Sequence, residues 1–150
     1  MKKIFSLVFI LILISAGTSA CIDVKTPDDY YSDIPKTDNV TSNVTITINA
    51  DDIEQGIILS SAVISIYEGD TVYDVLLRAA KKYELVLGTG GTADFIYVKS
   101  INGISEQQYG SLSGWTYKVN GKQPSVGCGT YVLQDGDSIE FIYMKEMKFE

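Results

Sequence analysis

The chain has 150 residues, no histidine and two cysteines, and its 12 basic against 19 acidic side chains leave a net charge of −7. That balance opposes nucleic-acid binding, which needs clustered Lys and Arg against phosphates. Without histidine the usual proton shuttle near neutral pH is missing, as are Ser-His-Asp and Cys-His arrangements, and two cysteines fall short of the familiar zinc spacings. No catalytic residue and no metal site are therefore expected, and the chain reads as a non-enzyme.

Met1-Lys2-Lys3 is a short basic start, and Ile4 to Ile14 is an apolar run broken only by Ser6. Small and polar residues follow to Ala20. This order is that of a secretory signal peptide over residues 1–20, and the run is too short to span hydrocarbon. Cys21 directly after Thr18-Ser19-Ala20 resembles a bacterial lipobox, with Thr18 where Leu is usual. Lipidation at Cys21 would tether an exported protein to the outer face of the cytoplasmic membrane. The alternatives are a secreted chain and a disulfide from Cys21 to Cys128, which an oxidising exterior permits. Lys2 and Lys3 leave with the signal, so 10 basic residues face 19 acidic ones and the net charge becomes −9. Any membrane attachment then runs through the lipid anchor, because anionic headgroups repel the domain.

Residues 21–43 form an acidic tether. Asp23, Asp28, Asp29, Asp33 and Asp38 accompany Pro27 and Pro35, with no apolar period that could offset the entropy of ordering. Tyr30-Tyr31 is its one candidate for docking on the domain. The domain proper is expected over 44–150. Val44 to Ile48 alternates apolar and polar residues, the mark of a half-buried strand. A second strand is expected over Ala62–Tyr67.

The one convincing helix follows, over about Thr71 to Tyr83. Thr71 is a good N-cap, Asp74 sits three residues on, and Val72, Val75, Leu76, Ala79 and Tyr83 recur at helical spacing. Arg78, Lys81 and Lys82 complement the helix dipole near its C-terminal end. Gly88 to Thr92 reads as a loop; lying after a helix and lacking lysine, it is no phosphate loop. Strands are then expected over Phe95–Ile101, Trp115–Val119, Tyr131–Leu133 and Ile139–Tyr143. Asn102-Gly103, Asn120-Gly121 and Asp135-Gly136-Asp137 are turn signals between them. This order predicts an α+β, β-grasp-like fold with one helix packed on a mostly antiparallel sheet.

On strand alternation Trp115, Tyr117 and Val119 share one face. That face is either the core of a small domain or an aromatic surface offered to a flat apolar ligand. Cys128 stands between Gly127 and Gly129, which supply no base, so it reads as a small residue in a tight loop and not as a nucleophile.

The stretch Ser113 to Gly121, with Gly127-Cys128-Gly129-Thr130-Tyr131 and Asp135 to Tyr143, resembles the transcobalamin-like C-terminal domain family. Gly69 to Leu76 matches the segment that enters that family's helix, and the similarity covers roughly Val44 to Tyr143. The resemblance implies a β-grasp-like fold and a small-molecule ligand, with a corrinoid such as cobalamin leading. No cofactor is implied beyond that ligand. In the vertebrate carriers the domain closes over cobalamin held against a helical barrel, and these 150 residues hold no such barrel. Carried onto this sequence, the ligand-facing residues are Trp115, Tyr117, Val126, Gly127, Cys128 and Tyr131. An envelope transporter would be the natural partner. The alternative is an interaction module that holds another surface protein or a cell-wall glycan.

Overall fold

The computed structural model describes residues 42–92 and 95–146. The signal-like segment 1–20, Cys21 and the tether as far as Thr41, with Tyr30-Tyr31, lie outside the described residues. Period-2 alternation produces the first strand, β1 (Ser42–Asn49), which buries Val44, Ile46 and Ile48 on one face. It starts two residues before Val44, because the Asn43 carbonyl accepts from Gly136 N at 2.9 Å and so binds this end to the Asp135–Asp137 turn. A 3-10 turn at Asp51–Ile53 reverses the chain into β2 (Ile57–Ile66). This second strand is longer than the expected Ala62–Tyr67. One extra residue bulges out between the Ile46–Ala62 and Ile48–Leu59 pairs, and Ser61 there takes φ 43° with its amide on Thr47 Oγ1 at 3.1 Å.

The helix α1 (Val72–Tyr83) has the expected bounds, and its capping box is complete. Asp74 N donates to Thr71 Oγ1 at 3.3 Å, and Thr71 N donates to the Asp74 carboxylate at 2.8 Å. Val72, Val75, Leu76 and Ala79 face the core as their spacing predicts. Tyr83 does not. It is the last helical residue, it lies at the surface, and the chain turns away directly after it where Glu84 is left-handed at φ 55°.

The stretch expected to be a loop after the helix is instead a strand, β3 (Leu87–Gly90), antiparallel to β4 (Tyr97–Ile101). The reason is steric. A Cβ at Gly90 would stand 2.7 Å from the Tyr97 ring, and one at Gly88 would collide with the Ser100 side chain, so side chains of β4 lie across a bare backbone. Phe95 and Ile96 precede β4 and are not part of it. Asn102 and Gly103, at φ 50° and 84°, form the primed turn into β5 (Ile104–Ser105).

β6 (Gly114–Val119) and β7 (Ser138–Met144) complete the strands. Asn120-Gly121 closes a turn, at φ 51° and 76°, but only the Val119–Lys122 bridge follows. Pro124 cannot donate to a ladder, and the Asn120 side chain is held by Ser138 N at 2.9 Å and by Asp137 Oδ1 at 2.7 Å. The expected strand Tyr131–Leu133 reduces to one bridge, Thr71 with Val132, beside the helix start.

The strands form two sheets where one was expected. The larger runs β2-β1-β7-β6, antiparallel except for the parallel β1–β7 pair, and the smaller runs β3-β4-β5. Side-chain bonds from β6 and β7 join the larger sheet to β5, and a third from the loop after β6 reaches the residue before β4. Trp115 Nε1 donates to Ile104 O at 2.9 Å, Tyr143 Oη to Ser105 O at 2.8 Å, and Cys128 Sγ to Ile96 O at 3.5 Å. One core, drawn from Val44 to Tyr143, fills the space between the large sheet and the helix and continues under β4 and β5. The result is an α+β fold with a single helix among the described residues.

Candidate functional site

Antiparallel pairing of β6 with β7 sets Trp115 opposite Tyr143 and Tyr117 opposite Phe141. All four rings point to the buried face. Trp115 meets Tyr143 edge to face with centroids 5.2 Å apart, and Tyr117 lies tilted against Phe141 at 5.9 Å. Trp115 is 8 % exposed and its indole N–H is already bonded, so the chief part of this residue belongs to the core.

The Gly127–Tyr131 loop is fixed from the other side by the helix. The first amides of a helix have no partner within it. Here Val72 N donates to Tyr131 O at 3.0 Å and Tyr73 N donates to Cys128 O at 2.9 Å. Two motifs far apart in sequence, the helix entry and the Gly-Cys-Gly-Thr-Tyr loop, are thereby one structural unit.

Between β6, the loop and the start of β4 lies an open cavity of about 210 Å³. Five of the six residues expected to face a ligand line it: Trp115, Tyr117, Val126, Gly127 and Cys128. Tyr131 is half-buried against the core and does not line it. The structure adds Tyr97 from the start of β4, Ile96 just before it, Phe141 from β7, and Gln123 and Pro124 from the loop after β6. Tyr97 was legible only as one aromatic of a strand. Its place on the cavity depends on Gly90, which leaves room for the ring, and on the docking of the small sheet, which no local pattern encodes.

Two polar groups of the wall are turned inward on the protein. Tyr117 Oη donates to Val126 O at 2.6 Å, and the Cys128 thiol donates to Ile96 O. Burial, then the neighbouring Cys128 and Tyr131, push the Tyr117 phenol up to about 12. Burial pushes the Cys128 thiol up to about 11, against weaker opposing help from backbone amides. Both groups are protonated and neutral at ordinary pH. Since the thiolate is the nucleophilic form, Cys128 is inert there. The wall offers contact area and neutral groups, not proton transfer. Tyr97 and Val126 stand at the rim, 45 % and 44 % exposed. Among the described residues no group of three or more acidic or thiol side chains is placed to hold a metal ion.

No curated protein matches the chain. Among solved structures, haptocorrin in complex with Cbi superposes with a TM-score of 0.56 at 18 % identity, over 73 % of this chain. The match takes in 27 % of the haptocorrin chain, so this chain spans about a quarter of that protein's length. A protein of Ruminococcus gnavus ATCC 29149, described as "a putative metal binding protein", superposes at a TM-score of 0.47 and 12 % identity, over 68 % of this chain and 95 % of its own. Residues 69–145, which run from the turn before α1 through β7, match the family described as Domain of unknown function (DUF4430). The chain belongs to the DUF4430 family and carries the fold of the transcobalamin-like domain.

Proposed function

We propose that this chain is a non-enzymatic, extracellular binding protein. Its cavity beside Trp115, Tyr117 and Cys128 takes the edge of a flat, largely apolar small molecule, and a corrinoid is the leading ligand. One observation carries the reading: an aromatic-walled cavity whose Tyr117 phenol and Cys128 thiol are both neutral and satisfied within the protein, so that a guest meets an uncharged wall, apolar at the rings and Val126 and polar at Thr116, Gln123 and Tyr97. At about 210 Å³ the cavity is smaller than the roughly 300–1,000 Å³ of sites that enclose a drug-sized ligand. A corrin would therefore seat one edge and lie against the exposed Tyr97 and Val126. The superposition on haptocorrin supports the fold in which such a site is built; the ligand is argued from the cavity.

The test is titration of cobinamide and of cobalamin into residues 22–150, read by quenching of the single tryptophan and by calorimetry. Saturable binding is expected, with Tyr97→Ala weakening it about fivefold while leaving the fold intact, since an aromatic contact of this kind is worth roughly 1 kcal/mol. No heat and no quenching at millimolar ligand would remove the corrinoid reading. The second reading, a module that holds an envelope protein or glycan, would then stand. It is favoured by Phe95, 82 % exposed next to the cavity wall, an apolar side chain better suited to a macromolecular partner than to solvent.

In the cell, the reading adds a lipid on Cys21, which would place the domain at the outer face of the membrane within reach of a transporter. Its motive is the signal-like segment ending at Cys21. Mass spectrometry of the N-terminal peptide from a bacterial host should find an acylated Cys21, and Cys21→Ser should release the protein into the medium. An unmodified Cys21 in a protein already free in the medium would sink this part.

A further inference from the structure

A second groove, of about 310 Å³, lies between β2 and α1, at the edge of the larger sheet opposite to β6 and its cavity. Its character is basic. Of the chain's 12 basic residues, Lys2, Lys3, Lys25 and Lys36 precede β1, which leaves eight, and Arg78, Lys81 and Lys82 among these line the groove. No acidic side chain lines it among the described residues. Its wall includes Val63, an apolar side chain 54 % exposed.

Its cations are fixed in place. Arg78 Nη1 donates to Ser65 O at 2.6 Å and Nη2 pairs with Asp70, so this charge is balanced within the domain. Lys82 is exposed; its Nζ donates to Val63 O at 3.2 Å and lies over the Tyr83 ring at 5.3 Å. An ammonium has three N–H donors, so the bond to Val63 O holds Lys82 at the groove and leaves donors for a carboxylate. Lys81, also exposed, adds its positive charge to the same field.

We infer that this groove takes the acidic segment Asp28-Asp29-Tyr30-Tyr31-Ser32-Asp33 of the same chain. Its aspartates complement the ammonium groups, and its tyrosine rings complement Val63. Chain position favours the same occupant. β1 begins at Ser42, which pairs with Ile66, the neighbour of the groove residue Tyr67. Asp33 lies nine positions before Ser42, a reach of about 30 Å when extended, and the groove runs only about 13 Å along β2 from Tyr67 to Val63. The chain can therefore turn back at Ser42 and still lay Asp33 beside Lys82. Single exposed ion pairs are weak, but a segment joined by so short a link faces the groove at an effective concentration on the order of millimolar. The consequence is orientation. A chain held there joins the domain on the β2 side, three strand spacings or about 14 Å from β6, so the cavity lies on the side away from Cys21.

The core lies within residues 44–143, so residues 22–150 are the material for the test, with circular dichroism confirming the fold. A nitroxide is attached at Ser32→Cys; Cys128 is buried and protonated and does not compete for it. At low salt the amide signals of Val63, Ser65 and Lys82 should broaden several-fold more than those of Tyr117 and Val126. That excess should disappear in about 1 M salt, where charges are screened beyond roughly 3 Å. It should disappear as well in the double variant Lys81→Glu/Lys82→Glu. If that variant does not fold, the labelled chain with Asp28→Lys, Asp29→Lys and Asp33→Lys takes its place. Broadening that is even over the surface, or centred elsewhere, would overturn the inference. So would a groove signal that survives either salt or charge reversal, because charge would then not be what holds the segment.

Discussion

At Cys128 and Tyr117, burial determines chemistry more than residue type does. Cys128 is 4 % exposed, with an acceptor for its proton in the Ile96 carbonyl. A thiol with ordinary value 9.0 is held protonated to about 11, and the Tyr117 phenol goes from 10.0 to about 12. Both folded values lie above those of the unfolded chain. Their contribution to stability is thus fully present below pH 9 and is lost as pH rises from 9 through 12, where the unfolded chain has released protons that the folded one keeps. For the Cys128 thiol a two-unit gap is on the order of 2–3 kcal/mol, and the Tyr117 phenol, more open to solvent screening, contributes less. Urea midpoints should be flat to pH 9 and fall above it, and Cys128→Ala should flatten the part between 9 and 11. An unchanged alkaline fall in that variant would show that the thiol is not its source. The sequence placed Cys128 in a tight loop between glycines, but the neutral cavity wall it helps to form depends on β4, some thirty residues earlier.

Among the elements, the helix was the most legible and β3 the least. Thr71, Asp74 and a 3.6-residue apolar stripe are local signals, and local hydrogen bonds answer them. Thr71→Ala should cost about 1 kcal/mol, read as a lowered urea midpoint, because the Asp74 amide loses its acceptor and the Asp74 carboxylate loses a donor. A shift below a few tenths would mean that Tyr131 O and Cys128 O, which already take the neighbouring amides, hold the helix start by themselves. β3 carries glycines where strands usually carry β-branched residues, and nothing local marks it. It pairs because Tyr97 and Ser100 of β4 need the room. The cations Arg78 and Lys82 show a third case. Lys82 in the last turn favours the dipole and Arg78 sits mid-helix, yet the bonds of both go to β2, a partner chosen by packing.

In the molecule as a whole, alternation and turn dipeptides were enough for the strand–strand–helix–strands order, and the fold class follows from it. Trp115, Tyr117 and Val119 lie on one buried face, and Asn102-Gly103 and Asn120-Gly121 turn, as local periodicity and left-handed tolerance require. Those signals act between residues a few positions apart, so they survive in any context. Division into two sheets, the parallel contact of first and last strands, and the cavity between them have no such local origin. They arise where Trp115, Tyr143 and Cys128 find carbonyls on β5 and before β4 that bury their polar atoms without penalty. Trp115 illustrates the difference. Its face was set by its own strand, while its role as a bridge that also walls a cavity was decided by Ile104, eleven residues away in sequence and on another sheet. The sequence alone determined which side chains of β1, β6 and the helix would be buried, Tyr83 excepted. Only the tertiary structure decided which of them meet, because burial is a property of each strand's own pattern and contact is a property of two.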